Sequence, residues 1–208
     1  MRGGNAICID GCGTLFRLKK PAPGTNSWTK ETLVTFNLAN GGKPLSKLLL
    51  DAAGSFYGTT YEGGNEPCIE GPYVHDPLVI GCGTVSKFTP PAAGNTNWTH
   101  TVIHHFDSIN GAFSEGGVIA DANGNFYGVT KKSSGDVCGL GQTLVLYKLT
   151  PPPAGQIWWT PSYLYKFDLT TSGTNVLGEL VAAPDGRLYG TAFSGGQYYG
   201  GTLFEITR

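Results

Sequence analysis

A short phrase written three times constrains this chain more than any other feature. "SFYGTT" (55–60), "NFYGVT" (125–130) and "RLYGTA" (187–192) share a tyrosine followed by glycine, and Tyr57, Tyr127 and Tyr189 fall 70 and 62 residues apart. Self-similarity at a long, nearly fixed spacing is the mark of stacked supersecondary units, none of which buries its apolar face alone. Ahead of each phrase lies a turn: "DAAG" (51–54), "DANG" (121–124) and "APDG" (183–186). Asp caps the start of such a turn and Gly closes it with positive φ, so turn and phrase together read as a β-hairpin.

Two further phrases recur. "GTLFRL" (13–18), "GTVSKF" (83–88), "QTLVLYKL" (142–149) and "GTLFEI" (201–206) alternate as strands do, and align on Thr14, Thr84, Thr143 and Thr202. Trp28, Trp98 and Trp159 each precede a phenylalanine (Phe36, Phe106, Phe167) by eight residues. An even separation on a regular strand places both rings on one face. Each unit then holds four strands. Strand a is the apolar run before the Asp-Gly turn, b the Tyr-Gly phrase, c the Gly-Thr phrase and d the Trp-to-Phe phrase. Along the chain the order is c, d, then abcd twice, then abc, thirteen strands in all. The expectation is a single all-β repeat domain over 1–208, made of antiparallel, four-stranded, propeller-like blades. Its units are a partial one at 1–44, full ones at 45–110 and 111–174, and a partial one at 175–208. About three blades are too few for a closed propeller, so closure calls for strand exchange between the termini or for dimerisation.

Composition agrees and excludes some functions. There are 32 glycines and 13 prolines, and charged residues make up only 14 %, which fits short strands and many turns. The formal charge is −1 without a basic run, against the clustered Lys and Arg that nucleic acid requires. No apolar stretch reaches the roughly 18 residues of a membrane span. Met1-Arg2-Gly3-Gly4 leads into loop-like sequence rather than an apolar secretory leader.

The b–c loops carry the cysteines. "GGNAICIDGCGT" (3–14) and "GGNEPCIEGPYVHDPLVIGCGT" (63–84) repeat Gly-Gly-Asn, Cys-Ile-acid-Gly and Cys-Gly-Thr in order, with an insertion in the second copy. The pairing expected is Cys8 with Cys12 and Cys68 with Cys82; free thiols in a reducing compartment are the alternative. Cys138 has no partner in its own copy, and the spacing offers no second pair for zinc. Paired loop cysteines imply an extracellular or periplasmic setting for the parent protein.

"DAAGSFYGTTYEGG", "GCGTVSKFTP" and "DGRLYGTAFSGGQYYGGTLFEITR" (185–208) resemble the Gloeo/Verruco tandem repeat, whose unit reads roughly Asp-Gly-x-Leu-Tyr-Gly-Thr-Thr, Gly-Gly, Gly-Thr-Val-Phe-x-Leu-Thr. The unit at 111–174 departs from it with Val129 for Thr and Gln142 for Gly. The resemblance implies a propeller-like protein outside the cytoplasm. A short chain of this repeat type also resembles a metagenome-derived, calcium-dependent hydrolase of N-acyl-homoserine lactones, a quorum-quenching activity.

No nucleophile elbow, zinc-protease, Walker or dinucleotide motif occurs. The acids are the better place to look. Calcium in a central channel takes carboxylate oxygens and polarises a lactone carbonyl. Glu115 and Glu179 each lie six residues before an aspartate, Asp121 and Asp185, and read as equivalent positions near an axis, with Leu45 at that place in the first full unit. Glu115, Glu179 and Asp121 are the candidate calcium ligands; solvated loop acids are the plainer reading, and the turn aspartates are explained by their turns. The insertion at 66–80 offers His75 or Asp76 as general base for a lactone substrate. Adjacent His104 and His105 point to opposite faces, one toward the core. The competing function is a non-catalytic binding module, with "GGQYYGG" (195–201) and Trp158 presented to a glycan or protein.

Overall fold

The computed structural model describes residue 8 and residues 11–68, 80–107, 111–131, 144–168, 172–173, 176 and 178–207. Within them the chain is all β, without a helix. Strands β1 (Thr14–Lys19) and β2 (Thr29–Thr35) form an antiparallel pair. The first full unit follows with β3 (Leu49–Leu50), β4 (Phe56–Thr60), a small hairpin of β5 (Pro67–Cys68) and β6 (Ile80–Gly81), then β7 (Thr84–Thr89) and β8 (Thr99–His105). The second contributes β9 (Ile119–Ala120), β10 (Phe126–Thr130), β11 (Val145–Thr150) and β12 (Thr160–Lys166), and the chain continues with β13 (Val181–Ala182), β14 (Leu188–Ala192) and β15 (Thr202–Ile206). The sheets run β3-β4-β7-β8, β9-β10-β11-β12 and β13-β14-β15, every pairing antiparallel and between strands consecutive in the chain, save that β5 and β6 intervene between β4 and β7. The thirteen repeat strands stand where the phrases place them. The β5–β6 hairpin inside the insertion is an addition that the repeat does not announce.

Local chemistry accounts for the hairpins. Gly54, Gly124 and Gly186 close the a–b turns at φ of 83°, 77° and 90°. A second glycine is required for space. Gly111, in the connection from β8 to β9, has φ of 133°, and a Cβ there would fall 2.4 Å from Thr130 Oγ1.

The sheets pack face to face in chain order, with a core at each junction. Val34, Phe36, Phe88, Leu48, Phe56 and Trp98 fill the first. Tyr57, Val85, Ile103, Phe106, Phe126 and Leu149 fill the second. Tyr127, Leu146, Phe167, Leu180 and Leu188 fill the third. Burial of aromatics and β-branched residues between sheets is the main stabilising force, at about 25 cal/mol per Å² of apolar surface. The b-strand tyrosines serve this packing: Tyr57 meets Phe126 edge-on at 4.7 Å, while Trp159 stacks on Phe126 at 4.4 Å.

Two register expectations are corrected. Each c–d pair carries a β-bulge: Leu15 faces Val34 but Phe16 faces Thr32, Val85 faces His104 but Ser86 faces Val102, and Leu146 faces Tyr165 but Tyr147 faces Tyr163. The extra residue, Leu33, Ile103 or Leu164, reverses the side-chain alternation midway along strand d. Tryptophan and phenylalanine therefore do not share a face. Trp98 packs in the first junction and Phe106 in the second; Trp159 packs in the second and Phe167 in the third. Likewise Thr130 pairs with Val145, as Thr60 does with Thr84 and Ala192 with Thr202, so Val145 and not Thr143 is the counterpart of those threonines.

Candidate functional site

The hairpin turns decide where the acids sit. Asp121 Oδ1 accepts from the backbone amides of Asn123 and Asn125, both at 2.9 Å, and Oδ2 from Asn125 Nδ2 at 2.9 Å and the Tyr127 hydroxyl at 3.0 Å. A carboxylate offers about four lone-pair sites, and all four are occupied within the hairpin. Burial works against ionisation of Asp121, but these hydrogen bonds outweigh it and hold the carboxyl below its ordinary value. Asp51 repeats the arrangement with Ala53, Ser55 and Tyr57. The Tyr57 phenol is pushed up to about 12, by burial first and by Asp51 second.

The third turn is offset. Ala183 donates to the Arg187 carbonyl and accepts from Gly186, as Asp121 does with Asn125 and Gly124. Ala183, not Asp185, is thus the counterpart of Asp121, and Asp185 matches Asn123. Asp185 holds Arg187 at 2.6 Å, and that guanidinium keeps its carboxyl below the ordinary range.

The same offset separates the two glutamates read as equivalent. Counting back from the paired a and b strands, Glu179 corresponds to Gly117 and Lys47, and Glu115 to Leu45 and residue 177. The structure brings Glu179 to its true counterpart: its carboxylate accepts from Lys47 Nζ at 3.2 Å, across two junctions of the array. Gly117 lies between them, where a Cβ would be 2.9 Å from the Lys47 carbonyl oxygen and 3.5 Å from Glu179 Oε1. Glu115 instead takes Lys131 at 2.8 Å. Glu115, Glu179 and Asp121 are therefore not assembled around one point, and among the described residues no three of His, Cys, Asp and Glu are grouped to hold a metal ion. His75 and Asp76 lie outside the described residues, as does Cys138. Cys8 is joined to Cys12 and Cys68 to Cys82, with Cα–Cα distances of 5.1 and 4.8 Å.

The histidines are structural in their surroundings. His104 and His105 leave β8 on opposite faces, and both are half-buried. His104 packs edge-on to Phe106 at 5.1 Å, and burial pulls it down to about 4. His105 Nδ1 accepts from the Asn65 amide at 3.2 Å, and its ring lies 5.5 Å from Trp158. His100 was not singled out by motif. It sits between Phe36 and Phe88, meets Ser86 Oγ through Nε2 at 3.0 Å and is lowered to about 4 by burial. Only the pairing of β7 with β8 could have revealed it.

The aromatics divide clearly. Trp159 belongs to a core while Trp158 is more than half exposed. Tyr198 and Tyr199 are 86 % and 74 % exposed on the loop between β14 and β15, with Phe193 at the start of that loop similarly open. A bridge between Gly195 and Gly200 and hydrogen bonds from Tyr199 N to Gly196 O and Gly201 N to Gly195 O fix that loop.

A family model described as the Gloeobacter/Verrucomicrobia repeat matches residues 2–204. No curated protein matches the chain.

Proposed function

This chain belongs to the Gloeobacter/Verrucomicrobia repeat family, and on that premise we propose that it is a non-catalytic, propeller-like binding module that works outside the cytoplasm. The sheets act as blades. The salt bridge from Lys47 to Glu179, between sheets two places apart, supports an arrangement about a common axis. Closure is supplied by exchange between terminal strands or by a second copy. The two disulfides favour an oxidising compartment. The observation that carries binding is the pair Tyr198–Tyr199, held in solvent on a braced loop where neither ring serves a core. Amphipathic rings exposed together mark interaction surfaces, and the ligand class they suit is a glycan, stacked on their faces. A glycan array followed by calorimetry tests this. Saturable binding that is lost in Tyr198→Ala/Tyr199→Ala, with the fold intact, is expected; binding unchanged in that variant overturns it.

The second reading is calcium-dependent opening of N-acyl-homoserine lactones. It is favoured by the convergence of Lys47, Gly117 and Glu179 at one place, where a one-third exposed carboxylate lies free of any turn. Glu179 would supply a calcium ligand, and Glu115 and Asp121 further oxygens, each only by giving up its present lysine or turn partners; His75 or Asp76, outside the described residues, is the base this reading calls for. Ring opening followed by mass spectrometry, with calcium and with chelator against a buffer blank, separates the readings. Calcium-dependent opening above the blank establishes the hydrolase, and its absence leaves the binding module.

A further inference from the structure

Each b strand carries a glycine at its centre, and strand c sets a residue directly opposite. Gly58 faces Ser86, Gly128 faces Tyr147 and Gly190 faces Phe204. In two of the three units that opposing residue is a ring lying over the glycine. A Cβ on Gly128 would stand 2.4 Å from the Tyr147 hydroxyl oxygen and 2.6 Å from its Cζ; one on Gly190 would stand 2.3 Å from Phe204 Cζ. Gly58 has no ring on the residue directly opposite it. Its nearest neighbours in that direction are Leu48 Cδ2 at 2.9 Å, Phe88 Cε2 at 3.8 Å and Ser46 Oγ at 3.9 Å. Ser86 is short, and its hydroxyl is held by His100 at 3.0 Å and Thr84 at 3.3 Å.

Beside Gly58, where the partial unit meets the first full unit, lies a cavity of about 220 Å³ walled by Leu15, Phe36, Leu48, Gly58 and Phe88, with Ser46 among its polar groups. At the next junction the counterparts of those walls, Val85, Phe106, Val118, Gly128 and Leu149, are buried in the core that Tyr147 completes. A short residue, Ser86, opposite Gly58 leaves this space open, in a frame that also differs at Ser46 and at His100, whose ring lies against Phe36 and Phe88. The cavity adjoins the edge of β1 opposite β2, an edge to which no described strand pairs.

We infer that this cavity is a binding site for a small, neutral, monocyclic aromatic bearing one polar substituent, the chemical class of p-cresol. The walls match a ring because the same frame accepts the Tyr147 phenol one unit on. Among the described residues that line it none is charged, and the neighbouring His100 is neutral at physiological pH, so a charged ligand would lose its hydration without gaining a partner. The polar contact is Ser46. Its Oγ accepts from the Thr59 amide at 3.1 Å and keeps its own proton to donate to a ligand oxygen. The counterparts of Ser46 are Gly116 and Gly178, so neither of the later units carries this hydroxyl.

The site is separate from Tyr198 and Tyr199, and its test fails or succeeds independently of the glycan reading. The full chain, ¹⁵N-labelled, is titrated with p-cresol up to millimolar concentration, and its melting temperature is followed in parallel. Saturable amide shifts centred on Ser46, Leu48, Gly58 and Thr59, with a melting temperature that rises with ligand, are expected. Ser86→Tyr rebuilds the ring of the second unit and abolishes the shifts; Ser46→Ala weakens binding several-fold. No shifts in the wild-type chain, or shifts that map to the exposed loops, overturn the inference without reference to any variant. So does undiminished binding by a folded Ser86→Tyr protein.

Discussion

The repeated tyrosine owes its recurrence to one hydrogen bond and one packing contact. Six residues before Tyr57 and Tyr127 an aspartate accepts from the phenol, and the same carboxylate caps the turn that delivers the strand. The rings then enter the junction cores. In the last unit Ala183 replaces that aspartate, and Tyr189 lies beside Glu205 and under Arg187 at 5.7 Å. Asp121 and Asp185 look alike in sequence but differ in what depends on them. Asp121→Ala strands two backbone amides, an Asn side chain and a buried phenol, at a cost of about 2 kcal/mol. Asp185→Ala removes an exposed ion pair and leaves stability nearly unchanged. Urea unfolding of both variants, at unchanged m-value, measures the difference; equal costs would show that the Asp–Tyr brace does not stabilise the hairpin.

At the scale of the strand, the bulge is the feature on which the array depends. Ile103 is the residue of β8 without an opposite number on β7, and it sends the residues after it to the other side of the sheet. Its own side chain is buried in the second junction. Ile103→Val removes one methyl group and costs about 1 kcal/mol. Deleting Ile103 restores strict alternation, turns Phe106 away from its core and prevents folding of the first full unit, visible as collapse of ¹H–¹⁵N dispersion for its amides. A well-dispersed deletion mutant would mean that Phe106 is placed by the following loop instead. The same parity explains what could be read in advance. Strand identities were legible because alternation and turn residues are local. A slip of two residues leaves alternation untouched, which is why Glu179 resembled Glu115, Asp185 resembled Asp121 and Thr143 resembled Thr84 until pairing fixed the register. A slip of one is visible only against a partner strand, so the bulges, and with them the split between Trp98 and Phe106, were hidden. His100 was hidden for the same reason, since its partner Ser86 lies on another strand. The missing ring opposite Gly58 was written in the sequence as Ser86 among Phe16, Tyr147 and Phe204, and became meaningful once those four were known to share a position.

The whole molecule is a row of sheets joined by apolar cores, so its stability rests on junctions rather than on any sheet alone. Two of the groups packed at these junctions titrate at a low pH. His100 lies against Phe36 and Phe88, and His104 against Phe106; burial lowers each to about 4, from an ordinary value near 6.5. Their protons are therefore bound more tightly by the unfolded chain. The stability that neutral histidines contribute is complete above about pH 6.5 and is lost as the pH falls from there toward 4, where the folded state begins to bind protons too. Each pKa unit is worth about 1.4 kcal/mol before screening by partial exposure, enough for two such groups to matter in a domain of ordinary stability. Urea midpoints measured between pH 7.5 and 4.5 are expected to fall steadily below pH 6.5. His104→Gln, which keeps a polar side chain of similar reach but cannot titrate, flattens that slope by roughly the share of one histidine. A midpoint that stays level down to pH 4.5 in the wild-type chain would mean that both imidazoles reach water in the folded state.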